Sequence, residues 1–568
     1  MVVLIWAFSL ITVHCHPCPL AFQFLRQGIN HSRNGTTNAK EHPAHGSQEH
    51  RLYPYRTYFM SERVHKSILN AEVNLIFYFL SLFLAFFSRK IFLNCLGTEF
   101  IGLTGTLGNI LGYLNLAELG ITASIGYFLF KPLQTKNRQE TQEILSLLGY
   151  LYNWIGSIIL VGGIIISLFF PLIFSHANLS LGIIYFAFYS FLGSSMIGYF
   201  INYRQIILEA DQKKYLVAIY FQSANIIKII LQIYLAYTYR NLYVWVGVEF
   251  LFGIIGCITL NWKINQEYPW LKVSKRQGKA LIKKYPDVLV KTKQVFIHKI
   301  KDFVLSKSDE LFVFIFVSLT MVAYYGNYIM IISKVSLLFK SILDSVNAGI
   351  GNLVAEGKKE KILRVFWELL AIRHFVAGLI SFSIYSLIEP FISLWLGAEY
   401  ILNHQILILL VIYIYINNSR GGVDAFNHAH GLYADVWSAW VELILNVSTT
   451  IIVGIRLGII GILLGKIISV GLIVIFWKPY YLFTSGFKIQ VSTYWKGAIR
   501  YYIIFLISFI LGITINQIIF INPYNNFYSW ILYSFISILA YLTIYSTLFL
   551  CFAKGAKDSL KRIKVLKR

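Results

Sequence analysis

Residues 216–238 read LVAIYFQSANIIKIILQIYLAYT, and this stretch decides the fold. It carries a single charge, Lys228, and is flanked by Lys213-Lys214 on one side and Arg240 on the other. As a helix rising ~1.5 Å per residue it would cover ~34 Å, enough to cross a hydrocarbon layer ~30 Å thick. A strand-based or water-soluble reading has no use for so long an apolar run. A helix closes its backbone hydrogen bonds without water, so the run fits a bilayer.

Outward from this segment the pattern repeats about fourteen times between Val73 and Cys551. The expected spans are 73–93, 101–128, 144–172, 181–203, 216–238, 242–262, 311–332, 335–356, 366–391, 404–420, 435–456, 458–478, 497–519 and 528–551. Of the 568 residues, 57% are hydrophobic and 13% charged. Soluble domains carry about 25% charged residues, so composition also points to an integral membrane protein. The expected fold class is all-α and polytopic.

The net charge of +24 invites a nucleic-acid reading, but the basic residues sit in the gaps between spans and not in one stripe. They concentrate in alternate gaps: Lys131, Lys136 and Arg138; Arg204, Lys213 and Lys214; Lys358, Lys359, Lys361 and Arg364; Lys478, Lys488 and Lys496. The intervening gaps hold little beyond Arg240, Lys334 and Arg456. The positive-inside rule then puts both termini in the cytoplasm and makes anionic lipid, not nucleic acid, the partner of these charges.

Five segments follow. Residues 1–59 form a polar, His-rich extension outside the pattern, and Met60 is a candidate translation start. Cys15-His16-Pro17-Cys18 has redox-like spacing but no βαβ context or second ligand pair. Residues 60–262 are expected to hold six spans and 311–480 six more, with 481–568 adding two helices and a basic tail. Between the lobes, 263–310 carries Val288, Val295, Ile297, Ile300 and Phe303 among Lys and Arg, an amphipathic helix for a membrane surface.

Chemistry-bearing motifs are sparse. No GxxxxGK[ST] phosphate loop occurs; residues 461–466 have Gly-Lys without the spacing or hydroxyl. No metal set is expected, because His428-Ala429-His430 stands alone. The short outer gaps leave no room for a catalytic domain, so a glycosyltransferase or polymerase reading is disfavoured. Transport is expected, and no enzyme activity.

Ionisable groups at membrane depth are expensive, so each is a candidate site. Lys228 stands mid-span, with a cavity or an ion pair as its role, and Glu249 in the next span is a plausible partner that would make the pair structural. Arg89 and Lys90 lie near the far end of the first span, where snorkelling is the bland alternative. Lys340 and Arg373 are further cations, and Glu118 and Asp344 further acids. The cations Arg89, Lys90, Lys228, Lys340 and Arg373 suit an anionic head. Glu118, Glu249 and Asp344 suit ion pairing or a coupling ion, H+ or Na+.

Several strings resemble Wzx-type polysaccharide flippases of the MOP exporter superfamily. They are NLIFYF (74–79), SRKIFL (88–93), LGTEFIGL (96–103), AELGI (117–121), KPL (131–133), ADQKKY (210–215), NAGIGN (347–352) and FISLWLG (391–397). The resemblance implies a two-lobed bundle in the bacterial inner membrane. Its implied cargo is a polyprenyl-diphosphate-linked oligosaccharide for O-antigen, capsule or exopolysaccharide, handed to a polymerase and assembly machinery. It implies no cofactor. A MATE-like cation-coupled multidrug antiporter and a lipid II flippase are the competing readings.

Overall fold

A computed structural model describes residues 53–559 apart from 119–120, 345–346 and 433–434. The Cys15/Cys18 pair, the His-rich stretch and the last nine residues of the basic tail lie outside the described residues. Every regular element among the described residues is helical. Apolar runs set the helices, and small polar residues begin them. Asn137 caps α4 (Arg138–Ser167) by accepting from the Glu140 N–H at 3.1 Å. Asn241 caps α7 (Leu242–Glu267) through Tyr243 and Val244, and Asn403 caps α13 (His404–Ala429) through Gln405. Each of these side chains satisfies backbone donors that no helical carbonyl can reach.

Eleven helices among the described residues are long and apolar enough to cross a membrane. Besides α4, α7 and α13 they include the membrane part of α1 (Tyr53–Leu96), α5 (Leu181–Phe200), α6 (Lys214–Tyr239) and α12 (Lys359–Trp395). α14 (Val436–Leu457), α15 (Ile459–Phe487), α16 (Ser492–Ile518) and α17 (Phe527–Phe552) complete the set. Their outer faces expose large apolar side chains, among them Ile158, Ile452 and Phe83. Such faces are stable against acyl chains and not against water.

Several expected spans are interrupted. The run at 101–128 divides into α2 (Thr98–Leu114), a tight turn over Asn115–Glu118, and α3 (Ile121–Gln134). Asn115 is a poor helix former in mid-run, and the break gives Glu118 a fixed place. The boundary expected at Lys334 is absent: α10 (Leu319–Asp344) runs straight through it, followed by α11 (Asn347–Ala355). The real break is at Ser318, whose hydroxyl accepts from the Met321 N–H at 3.2 Å and starts α10.

The chain divides into two compact units. The first comprises 52–330 with 439–466, and the second comprises 331–438 with the chain from 467 onward. Residues 263–310, expected as a linker, lie inside the first unit. Residues 268–285 dock on α4. The Gln142 amide donates to the Trp270 carbonyl at 2.6 Å, and the Ser274 N–H donates to the Ser146 hydroxyl at 3.0 Å. At Gly278 a Cβ would stand 2.1 Å from Tyr150, so the segment lies flush on the helix. The expected surface helix and the start of the next span are one element, α9 (Pro286–Phe316), with Pro286 in the first turn where its missing N–H costs nothing.

Within the first unit, α14 and α15 approach through Gly461 and Gly465. A Cβ at Gly461 would fall 2.5 Å from the Val453 carbonyl oxygen, and one at Gly465 2.8 Å from the Thr450 backbone nitrogen. This is the small-xxx-small packing of membrane helices. In the second unit the core is aromatic. Phe382 stacks on Tyr541 with centroids 3.9 Å apart, and Tyr415 stacks on Phe505 at the same spacing. Many aromatic rings therefore pack the interior. Helices α16 and α17 belong to that core through Tyr494, Tyr501, Tyr541 and Tyr545.

Candidate functional site

In the first unit α6 and α7 lie side by side and bring Lys228 to Glu249. The Lys228 ammonium donates to Glu249 Oε1 at 2.6 Å, while the Gln232 amide donates to Oε2 at 3.0 Å and to the Trp245 carbonyl at 3.1 Å. Gln232 is one helical turn after Lys228, so one face of α6 presents both donors. The pairing expected from sequence is present.

Arg89, on α1, is held by α10. Its Nε donates to Asn327 Oδ1 at 2.7 Å and its Nη2 to the Ala323 carbonyl at 3.1 Å. Lys90, the next residue, is exposed. Two neighbours on one helix point about 100° apart, so the pair expected to act together is split between an interior grip and a surface. At the α2–α3 break, both Glu118 oxygens accept tyrosine hydroxyls, from Tyr152 at 2.6 Å and Tyr199 at 2.7 Å.

Two polar groups in this unit are absent from the expected set. Asp309 on α9 pairs with Lys466 on α15 and also accepts from the Tyr325 hydroxyl at 3.0 Å. Glu310 accepts from the Asn109 amide at 2.6 Å. Asp309 lies two residues ahead of the expected span at 311 and reads as linker. The signal available was Ser308-Asp309-Glu310 running directly into an apolar helix.

In the second unit Arg373 and Asp344 are paired to each other. Arg373 Nη2 donates to Asp344 Oδ1 at 2.8 Å and to the Leu343 carbonyl at 3.0 Å, capping the last turn of α10. Their expected roles, one a cargo cation and the other a coupling acid, meet in a single bridge. Lys340 is exposed. His374, not among the expected residues, is buried: its Nδ1 is 3.0 Å from the Tyr415 hydroxyl, and its ring stacks on Tyr501.

Three of the five candidate cations are thus already engaged, Arg89, Lys228 and Arg373. Lys90 and Lys340 make no ion pair among the described residues. An anionic head reaching the engaged groups must compete with a carboxylate or an amide at 2.6–2.8 Å.

No family model matches the chain, and no curated protein matches it. Solved structures do. A lipid II flippase, MurJ, in an inward closed conformation superimposes with TM-score 0.58 at 17% identity, over 85% of this chain and 99% of that one. The fold is that of the MOP transporters. An inward-facing multidrug MATE transporter of the MOP superfamily superimposes with TM-score 0.51 at 12% identity, over 75% of this chain and 98% of that one. The chain is a multi-pass membrane protein of this fold.

Proposed function

We propose that the protein moves a polyprenyl-diphosphate-linked oligosaccharide from the cytoplasmic to the outer leaflet of a bacterial inner membrane, for surface polysaccharide assembly. The observation that carries this reading is the extent of the fold match. The lipid II flippase shares 85% of this chain and the MATE transporter 75%. A flippase of lipid-linked sugar is therefore the better template than a drug antiporter. Within that template the choice of a polysaccharide precursor over lipid II rests only on the resemblance of the motif strings quoted above.

The chemistry agrees. A diphosphate needs cations, and each unit taken by itself offers them: Lys90 is exposed in the first, where Arg89 and Lys228 can be recruited from their partners, and Lys340 is exposed in the second, where Arg373 can be recruited from Asp344. Glu118 and Glu249 are the acids we assign to a coupling ion, H+ or Na+; each stands at membrane depth among donors that can exchange, two tyrosine hydroxyls for one and an ammonium for the other. The work requires no bond making.

Deletion followed by analysis of lipid-linked intermediates tests the proposal. Accumulated polyprenyl-diphosphate oligosaccharide and depleted surface glycan are expected. Accumulated lipid II with normal surface glycan would transfer the assignment to cell-wall precursor flipping, a reading favoured by the first of the two fold matches. Unchanged glycan with altered drug sensitivity would transfer it to the antiporter.

A further inference from the structure

Within the second unit a groove of about 420 Å³ runs between α16 and α17. Its walls are Ile503, Ile504, Ile507, Leu548 and Phe552, and Arg500 closes one end. Arg500 is exposed, as is Lys496 one turn before it. Just past the other wall, the chain leaves α17 at Phe552 and turns back, bringing Lys554 to the same end.

Lys554 is held in place. Its backbone carbonyl accepts from the buried Tyr501 hydroxyl at 2.6 Å, and its ammonium lies 3.9 Å from the Trp367 ring centroid. Gly555 follows with φ +81°, and a Cβ there would stand 2.5 Å from the Trp367 carbonyl oxygen. Burial and then the neighbouring Arg500 guanidinium push the Lys554 ammonium below its ordinary range, and no carboxylate opposes them. The nearest acid in sequence, Asp558, is exposed and makes no ion pair among the described residues. Residues 560–568 read LKRIKVLKR and contain no acid at all.

Arg500 and Lys554 thus stand at the same end of an apolar trough, near enough for their charges to repel. Repulsion of this kind is relieved by an anion. The trough spans Arg500 to Ile507, seven residues or ~10 Å of helix, within the ~15 Å depth of a single leaflet. An amphiphile with a phosphate at one end and an acyl chain at the other matches both parts.

We propose that this groove is a binding site for one anionic glycerophospholipid of the leaflet at whose surface the C-terminal tail emerges, its phosphate between Arg500 and Lys554 and one acyl chain against Ile503, Ile507 and Leu548. The site is separate from the cargo reading and stands whether or not that reading holds. It would anchor α16 and α17 in the leaflet while cargo is handled elsewhere.

Native mass spectrometry of the purified full chain, titrated with phosphatidylglycerol or phosphatidylcholine, tests the site. One phosphatidylglycerol retained in preference to phosphatidylcholine is expected. Each of Arg500→Gln and Lys554→Gln should weaken that retention about five-fold, the effect of one basic charge at a lipid surface. Lys358→Gln, a surface cation elsewhere in the unit, should leave it unchanged. Ile507→Trp should abolish it by filling the groove with both cations intact. Equal retention of the two lipids, or unchanged retention in the Arg500 and Lys554 variants, would overturn the proposal. So would displacement of the lipid by equimolar polyprenyl phosphate, since the groove would then belong to the cargo tail. Binding is read without transport, so failure here leaves the flippase proposal standing.

Discussion

Asp309 and Lys466 stand 157 residues apart in the chain and form an ion pair inside the first unit, with each side chain only 8% exposed. Taking both charges out of water is costly, and their attraction repays it only while both are present. Truncating one partner removes the ion-pair counterpart of a charge that stays buried.

Asp309→Ala is therefore expected to cost about 3–5 kcal/mol, read as a large fall in thermal midpoint in detergent. The double variant Asp309→Asn, Lys466→Met removes both charges with little change of shape and should recover most of that loss. A double variant as unstable as the single would show that the pair does not act as a unit. Recovered stability with lost glycan export would place the pair in the transport cycle.

Arg89 is gripped at two points by α10, one a side-chain amide and the other a backbone carbonyl. The planar guanidinium reaches both, and an ammonium cannot reproduce that fork. Arg89→Lys should lower stability by about 1–3 kcal/mol and fail to restore export fully. Full export by the lysine variant would show that position 89 supplies only charge.

Lys228 and Glu249 are partly exposed, with side chains 14% and 27% accessible, so their bridge is weaker than that of Asp309. Lys228→Ala should cost about 1–2 kcal/mol, because Glu249 keeps the Gln232 amide. Glu249→Gln in the same chain should return most of it. If the double variant is stable yet silent in export, the lysine also meets cargo. If stability and export recover together, the pair is structural.

How far the sequence speaks can be seen in these same residues. The apolar runs are local, and that pattern is legible in the sequence. Lys228 and Glu249 lie in consecutive spans, so their meeting could be expected. Arg89 and Asn327 are 238 residues apart, and nothing in a helical pattern records which helix lies alongside. The breaks misled for a different reason. Lys334 looks like a loop residue, yet a charge can ride through a helix, whereas Ser318 ends one by capping the next. Residues 461–466 were weighed as a failed phosphate loop, but their glycines serve helix packing. Asp309 was hidden by lying just outside an expected span.

That packing is testable. At Gly461 a side chain would strike backbone, which cannot swing aside. Gly461→Leu should force α14 and α15 apart and cost more than about 2 kcal/mol, seen as poor recovery of monodisperse protein in detergent. Gly471→Ala is the contrast, because a Cβ there meets nothing within 4 Å. Equal behaviour of the two variants would show that the close approach is not needed.

The neighbours Arg89 and Lys90 give the sharpest separation of structure from cargo. Arg89 holds two partners, while Lys90 is exposed and makes no ion pair among the described residues. Lys90→Gln therefore removes a charge and little packing, and its stability should stay within about 0.5 kcal/mol of the parent. Export should nonetheless fall if Lys90 meets the diphosphate, and Lys90→Arg should restore it, since an exposed cation acts mainly through charge. Normal surface glycan in Lys90→Gln would remove Lys90 from the cargo path. It would leave Lys340 as the exposed cation of the expected set on which the diphosphate reading then rests.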